Sequence, residues 1–358
     1  MNDIASECGC SRATVNHILL GRGERFAAAT RQRVMDTAAR MGYRVNTSAR
    51  AIKTGRFDCV SLVLGTKATR GSVPAGLLIG IEERLADQGI HLALYHSRES
   101  VADSGELQSD PQRQPGPGGP PKFITQDMVD GHMVDMTWPV PQWVKDLGQG
   151  PLPVVKLGMK AEWDCAYVDE EQGGHAATQH LIELGHTDIA CVGGPTDFAG
   201  ALARRAGYER AMKEAGLKTR NFMFEDNPEV RETSEFALPE IAFTHDRYQQ
   251  SLEWLANEDQ RPTALFGVWF NDVLPMQAAA LRLGLDLPGD LSIVAVHDYF
   301  VGLGMPITTF FAASHGLGLM AAELMLTKLD HPKKPLPPAV LSYVLAGGVT
   351  TGPPCRPS

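Results

Sequence analysis

The run Ser11-Arg12-Ala13-Thr14-Val15-Asn16-His17-Ile18 places forked and ring-bearing polar side chains where one helix can present them together. Arg12 can grip the O6 and N7 acceptors of guanine, Asn16 matches the donor–acceptor edge of adenine, and His17 can donate to guanine or to a phosphate. Thr14 and Thr30 suit phosphate contacts that set register, while Val15 and Ile18 recur at the spacing of an inward face. The competing reading is a small three-helix module with no nucleic-acid role. Acid–base side chains also occur at Asp169, His186, His297 and Asp298. No nucleophile elbow or glycine-rich phosphate loop accompanies them, so the pattern points to binding rather than turnover and implies no cofactor. Six scattered cysteines include Cys8-x-Cys10, which lacks the spacing and the second ligand pair of a structural zinc site. They read as free thiols in a reduced compartment, and no metal is expected.

The elements that must carry these side chains change character along the chain. Residues 1–45 read as three short helices forming a helix-turn-helix domain. Asn2 or Asp3 is expected to cap the first, which stops at Gly9, and Ser11 to cap the second, Arg12–Leu20, closed by Gly21-Arg22-Gly23. The third runs from Thr30 to Met41 with Val34, Ala38 and Met41 on one face, and stops at Gly42. A helix-turn-helix needs a small residue at its crossing, a glycine in its turn and apolar anchors. Ala5, Gly9, Val15 and Ile18 fill these places. Residues 46–56 form a hinge segment of barely two turns that should order only against a partner.

From residue 57 to 358 the pattern alternates strand and helix. Strands are expected at 59–64, 90–94, 152–157, 188–192, 264–268 and 292–296, with helices at 77–88, 174–184, 203–215 and 274–283 between them. Repeated βα units imply parallel sheets covered on both faces. About 300 residues of them is twice one doubly wound sheet, so the expectation is an α/β core of two lobes with a ligand cleft at the strands' carboxyl ends. Residues 97–121, dense in proline and glycine, read as a surface insertion.

Charge divides the same way. The chain carries −9 overall, yet residues 1–56 hold ten basic and four acidic side chains, +6, leaving −15 for the remainder. A basic head on an acidic body is what a phosphate-binding module joined to a ligand domain shows. Asn2, Asp3 and Glu7 interrupt any secretory signal at the start, and no apolar run is long enough to span a bilayer. The expected location is the cytoplasm.

Motifs in order along nearly the whole chain resemble the lactose-repressor/galactose-repressor (LacI/GalR) family. The head carries Asp3-Ile4-Ala5, Gly9, Ser11, Ala13-Thr14-Val15, Thr30-Arg31, Arg33-Val34 and Met41-Gly42-Tyr43; Thr14–Ile18 is most similar to the purine-repressor branch. The core carries Val129-Asp130-Gly131, Val168-Asp169, Leu181–Ile189, Arg204–Tyr208, Asn271-Asp272 and Leu285–Val294. The resemblance implies a periplasmic-binding-protein-like core and a homodimer on palindromic double-stranded operator DNA. It also implies a small-molecule effector, a sugar by preference, in the cleft, and no membrane partner.

By the same resemblance, Ser48, Ala49, Ile52 and Lys53 belong to a hinge helix that folds on DNA, with Ile52 wedged into the minor groove and Lys53 supporting it. Arg204 is expected to point into the effector cleft beside Asp169, Asn271 and Asp272. His297-Asp298 replaces the family's acidic pair, so His297 would meet a ligand hydroxyl as donor and acceptor rather than as an anion. Trp269 reads equally as a stacking surface for a sugar or base and as core. The alternatives are a regulator with a degenerate or nucleobase-like effector site and a sugar-binding protein without DNA function.

Overall fold

The computed structural model describes residues 1–43, 51, 55–64, 74–96, 120–126, 128–135, 142–194, 199–225, 239–257, 261–297 and 306–355; for 239–245 and 297 it describes the backbone alone. The chain divides into two compact units, Met1–Phe57 and Asp58–Ser358. Most of the expected hinge and of the 97–121 insertion lies outside the described residues.

The first unit packs α1 (Asn2–Glu7), α2 (Arg12–Leu19) and α3 (Ala28–Arg40) against one another. Ile4, Ala5, Cys8, Val15, Ile18, Val34 and Ala38 close its core. Gly9, at φ +59, ends α1 where an L side chain would be strained. Ser11 caps α2, its Oγ accepting from Thr14 N at 3.0 Å. The expected cap on α1 is corrected: Met1 occupies the N-cap and makes no side-chain bond, because Asn2 and Asp3 already lie inside the helix. Met41, expected on the inner face of α3, is exposed just past its end.

The second unit holds two six-stranded sheets. Its elements are β1 (Cys59–Leu64), α4 (Ala75–Ala86), β2 (His91–His96), α5 (Lys122–Thr125), β3 (Gly131–Asp135), α6 (Gln142–Leu147), β4 (Val154–Gly158) and β5 (Cys165–Val168). There follow α7 (Glu170–Glu183), β6 (Ile189–Gly193), α8 (Ala199–Glu214), β7 (Arg220–Met223), α9 (Pro239–Ala256), β8 (Ala264–Gly267), α10 (Phe270–Arg282) and β9 (Ser292–His297). The last are β10 (Thr308–Phe311), α11 (Ser314–Asp330), β11 (Ala339–Leu341) and β12 (Val344–Leu345). One sheet runs β11-β5-β4-β3-β1-β2 and the other β12-β10-β9-β8-β6-β7. Every pairing is parallel except β10 with β12.

The buried, apolar β1, β6 and β9 sit inside their sheets, as continuous apolar runs require. The second sheet is covered by α7 and α8 on one face and by α9 and α10 on the other. In the first, α4 and α11 cross at glycine: a Cβ on Gly318 would lie 2.9 Å from Ile81 N, and one on Gly80 3.0 Å from Leu319 N. Strand order makes the chain pass between sheets three times, at 168–170, 311–314 and 341–344. The Val129-Asp130-Gly131 motif leads into β3, which begins at Gly131. Helix α10 starts four residues earlier than its apolar period indicates, and Pro275 lies inside it at the loss of one backbone bond.

Candidate functional site

Two sites follow from this scaffold, one in each unit. In the head, α2 buries Val15 and Ile18 and turns the other way Ser11, Arg12 and Ala13, all exposed, with Thr14, Asn16 and His17 half-buried beside them. Ser11 Oγ and Thr14 Oγ1 lie 2.9 Å apart, which fixes the helix's first turn. His17 rests against Phe26, whose ring also carries the Arg25 guanidinium at 5.0 Å. Thr30, in the first turn of α3, is half-buried. Polar forks on the N-terminal turns of a rigid second helix can read base edges, and α1 and α3 hold that helix by its apolar side.

In the core, a polar knot forms beyond the carboxyl ends of β5 and β8. Arg204, on α8, has no solvent exposure. Its Nε donates to Glu170 Oε2 at 2.6 Å, its Nη1 to the Val268 carbonyl at 3.1 Å and its Nη2 to Tyr343 Oη at 2.9 Å. Tyr343 Oη in turn donates to the same Glu170 oxygen at 2.8 Å. The Trp269 ring stacks under the guanidinium, 4.3 Å from its carbon. Glu170 opens α7 directly after the first passage between sheets, and Tyr343 lies within the third. Close helix packing makes this reach possible. A Cβ on Gly174 would stand 2.7 Å from the Arg204 carbonyl carbon, and one on Gly207 2.6 Å from His175 N.

A second pair lies nearby. Asp272, in the first turn of α10, is buried and bonds Arg247 of α9 through Oδ1. Its Oδ2 has no partner among the described residues. Burial pushes this carboxyl up to about 6, while the Arg247 charge pulls it down. In the first sheet, burial likewise pushes Asp135 up to about 6 against the opposing pull of Lys156, whose own pKa burial lowers. His186, buried, bonds Thr263 Oγ1 and the Gly352 carbonyl, and burial lowers its pKa. It fastens the C-terminal segment instead of facing a cleft. Among the described residues no group of three His, Cys, Asp or Glu is placed to hold a metal, and no helix is long and apolar enough to cross a membrane.

Residues 178–350 match the family model of a periplasmic binding protein-like domain. The HTH-type transcriptional repressor PurR of Vibrio vulnificus (strain CMCP6) is 28% identical over 350 residues, covering 93% of this chain and 94% of its own. PurR of Haemophilus influenzae (strain PittEE) is 26% identical over 92% of this chain and 91% of its own. Along nearly its whole length the chain is similar to repressors of this kind, in line with the resemblance of its motifs to the LacI/GalR family. Solved structures agree on the LacI/GalR fold. The lac repressor dimer bound to operator and the anti-inducer ONPF superposes with a TM-score of 0.71 at 19% identity, over 98% of both chains. The transcriptional regulator CelR–cellobiose complex gives 0.60 at 22% identity, over 97% of this chain and 98% of that one.

Within the LacI/GalR frame, the structure gathers some of the expected residues and separates others. Arg204, Trp269 and Asp272 come together, but Arg204 is wholly enclosed and its guanidinium is held by the chain's own groups. Asp169 is occupied as the N-cap of α7, its Oδ1 accepting from Gln172 N at 3.0 Å. Asn271 is exposed on α10. Trp269 packs against the core, as the second of its two readings has it, and its ring stacks on the Arg204 guanidinium. His297 ends β9; its side chain and Asp298 lie outside the described residues, as do Ser48, Ala49, Ile52 and Lys53. Sequence reasoning missed Glu170, Tyr343 and Arg247. Glu170 follows Asp169 directly and was visible as a carboxylate at a helix start, whereas Tyr343 and Arg247 carry no local signal.

Proposed function

We propose that the chain is a transcriptional regulator that grips operator DNA through α2 and responds to a small molecule bound between the two sheets of its core. The observation that carries this reading is the two-sided α2. Val15 and Ile18 are locked inward, and Ser11, Arg12, Ala13, Thr14, Asn16 and His17 are left for the major groove. Arg12 and Asn16 read bases, His17 reads a base or phosphate, and Thr14 and Thr30 set register. Ser48, Ala49, Ile52 and Lys53 complete the contact as the hinge segment. Full-length likeness to PurR repressors supports repression over activation, and a homodimer on a palindrome follows from the symmetry such operators require. The effector is a sugar or a nucleobase-like molecule at the carboxyl ends of the strands, near Asp169, Arg204, Trp269, Asn271, Asp272, His297 and Asp298. No catalytic step is assigned to these residues, and the protein works in the cytoplasm, where DNA is.

Titration of the purified full chain with random duplex DNA at stepped salt concentrations tests the reading. Affinity should fall by roughly 10³–10⁵-fold between about 50 and about 200 mM salt, because phosphate contacts release counterions. Absence of binding at low salt overturns it. Selection of bound sequences from a random pool should then return a two-fold symmetric site.

A further inference from the structure

Arg204 sits where an anion would be welcome: beyond the carboxyl end of β8, beside the start of α7, with an aromatic face beneath it. That place is already taken. The Glu170 carboxylate bonds Arg204 Nε at 2.6 Å, and Tyr343 Oη closes a three-membered ring of contacts by bonding both Arg204 Nη2 and the same carboxylate oxygen. Arg204 is fully enclosed, whereas the Glu170 side chain keeps 12% exposure, so Glu170 is the group between the guanidinium and water. Among the described residues, two further buried or half-buried cations of this unit have carboxylate partners: Arg247 is paired with Asp272, and Lys156 interacts with the Asp135 charge.

We propose that Glu170 is a tethered counter-anion that fills the anion subsite of Arg204, and so makes the effector site selective for uncharged ligands. This rests on the reading of the core as an effector-binding domain. An anionic ligand seeking Arg204 must first expel Glu170 and leave one carboxylate buried without its partner, a cost that an uncharged polyol or heterocycle does not meet. Selectivity of this kind comes from the disfavoured alternative as much as from the favoured contact.

The test is chemical rescue of the full-length chain. In Glu170→Ala the tether is gone and a carboxylate-sized space opens beside Arg204. Its melting temperature should fall by roughly 5–10 °C. Sodium formate should restore most of that loss saturably, while sodium chloride at equal ionic strength should not. Wild-type protein should show no formate-specific shift. A rescue-blind Glu170→Ala variant, or a wild type that formate stabilises saturably, overturns the proposal. Should the Ala variant not fold, the wild type still decides. Paired probes of one scaffold, glucose with glucuronate and ribose with ribonate, should shift its melting temperature only in the uncharged form, and a saturable shift by either carboxylated member at fixed ionic strength overturns the proposal. None of these readouts involves DNA, so failure of the random-duplex titration sinks the regulator reading and leaves the rescue result standing.

Discussion

Replacing Gly174 by alanine tests the link between helix packing and the core site. A Cβ there would lie 2.7 Å from the Arg204 carbonyl carbon and 2.9 Å from its Cα, with the carbonyl oxygen closer still. All three are backbone atoms, so no side chain can swing aside. Ordinary contact begins near 3.4 Å, so α8 must retreat from α7 by at least about 0.7 Å in a close-packed interior. The displaced residue is Arg204 itself. Its 2.6 Å bond to Glu170 would stretch to or beyond about 3.2 Å, the outer range of a good N–H···O bond. Overpacking costs about 1–3 kcal/mol and a weakened charged hydrogen bond about 1.5–3 kcal/mol, giving about 2.5–6 kcal/mol together. With about 2.1 cal/mol/K per residue over a unit of about 300 residues, the melting temperature should drop by about 4–10 °C. Gly316→Ala is the control: its nearest neighbours stand 3.8 Å away and it lies in the first turn of α11. It should be neutral or gain up to about 1 kcal/mol from helix propensity. Scanning calorimetry of both variants decides. A Gly174→Ala protein melting within about 2 °C of wild type refutes the reasoning that the α7–α8 approach sets the Arg204 geometry.

Other perturbations separate the two units. Arg12→Ala should leave the melting temperature of the full chain unchanged, because Arg12 is exposed on α2, and should weaken binding to a selected operator by about tenfold or more; equal affinity for selected and random duplex in wild type would contradict its role as a base reader. The folded-state pKa of Asp272 lies above its ordinary 3.8, at about 6. The folded chain therefore holds this proton where the unfolded chain has released it, and stability falls as pH rises from about 4 to about 6. Asp272→Asn removes that slope, so its melting temperature relative to wild type should climb across the same window; a flat difference would show that the carboxyl titrates normally.

The second unit's architecture was legible because fully buried parallel strands write continuous apolar runs, as in Cys59–Leu64 and Ser292–His297. Where burial is partial the signal fades. Strand β7, Arg220–Met223, carries arginine and asparagine, and β12 is two residues long, held by antiparallel pairing to β10 rather than by its own pattern. The α2 surface was legible too, since capping by Ser11 and the Val15/Ile18 spacing are local facts. The Arg204 knot was not. Its members are separated by 34 and 139 residues, and nothing in the sequence near Arg204 announces that Glu170 and Tyr343 will meet its guanidinium. Asp169 shows a role that its strand-end position does not announce: its Oδ1 also caps the first free N–H groups of α7.

The position of the knot gives Arg204 a role beyond charge balance. Any rotation of one sheet against the other must be absorbed in the three passages of chain between them, because ladder pairing holds the strands on either side. Glu170 immediately follows the first passage and Tyr343 lies inside the third, and Arg204 bonds both from a helix belonging to the second sheet. The Tyr343 ring is seated as firmly as its hydroxyl, since a Cβ on Gly173 would stand 2.7 Å from ring atom Cε2. Two of the three passages are therefore fixed to one lobe by groups with no spare room. Under the proposed function, a ligand settling between the sheets gains leverage on the head only to the extent that it stabilises one setting of these passages over another. On that reading the knot is where ligand affinity and lobe geometry would be coupled. It also explains why the arginine is better held by a tethered carboxylate than left for a diffusing one: a resident anion keeps the passages ordered whether or not the cleft is filled.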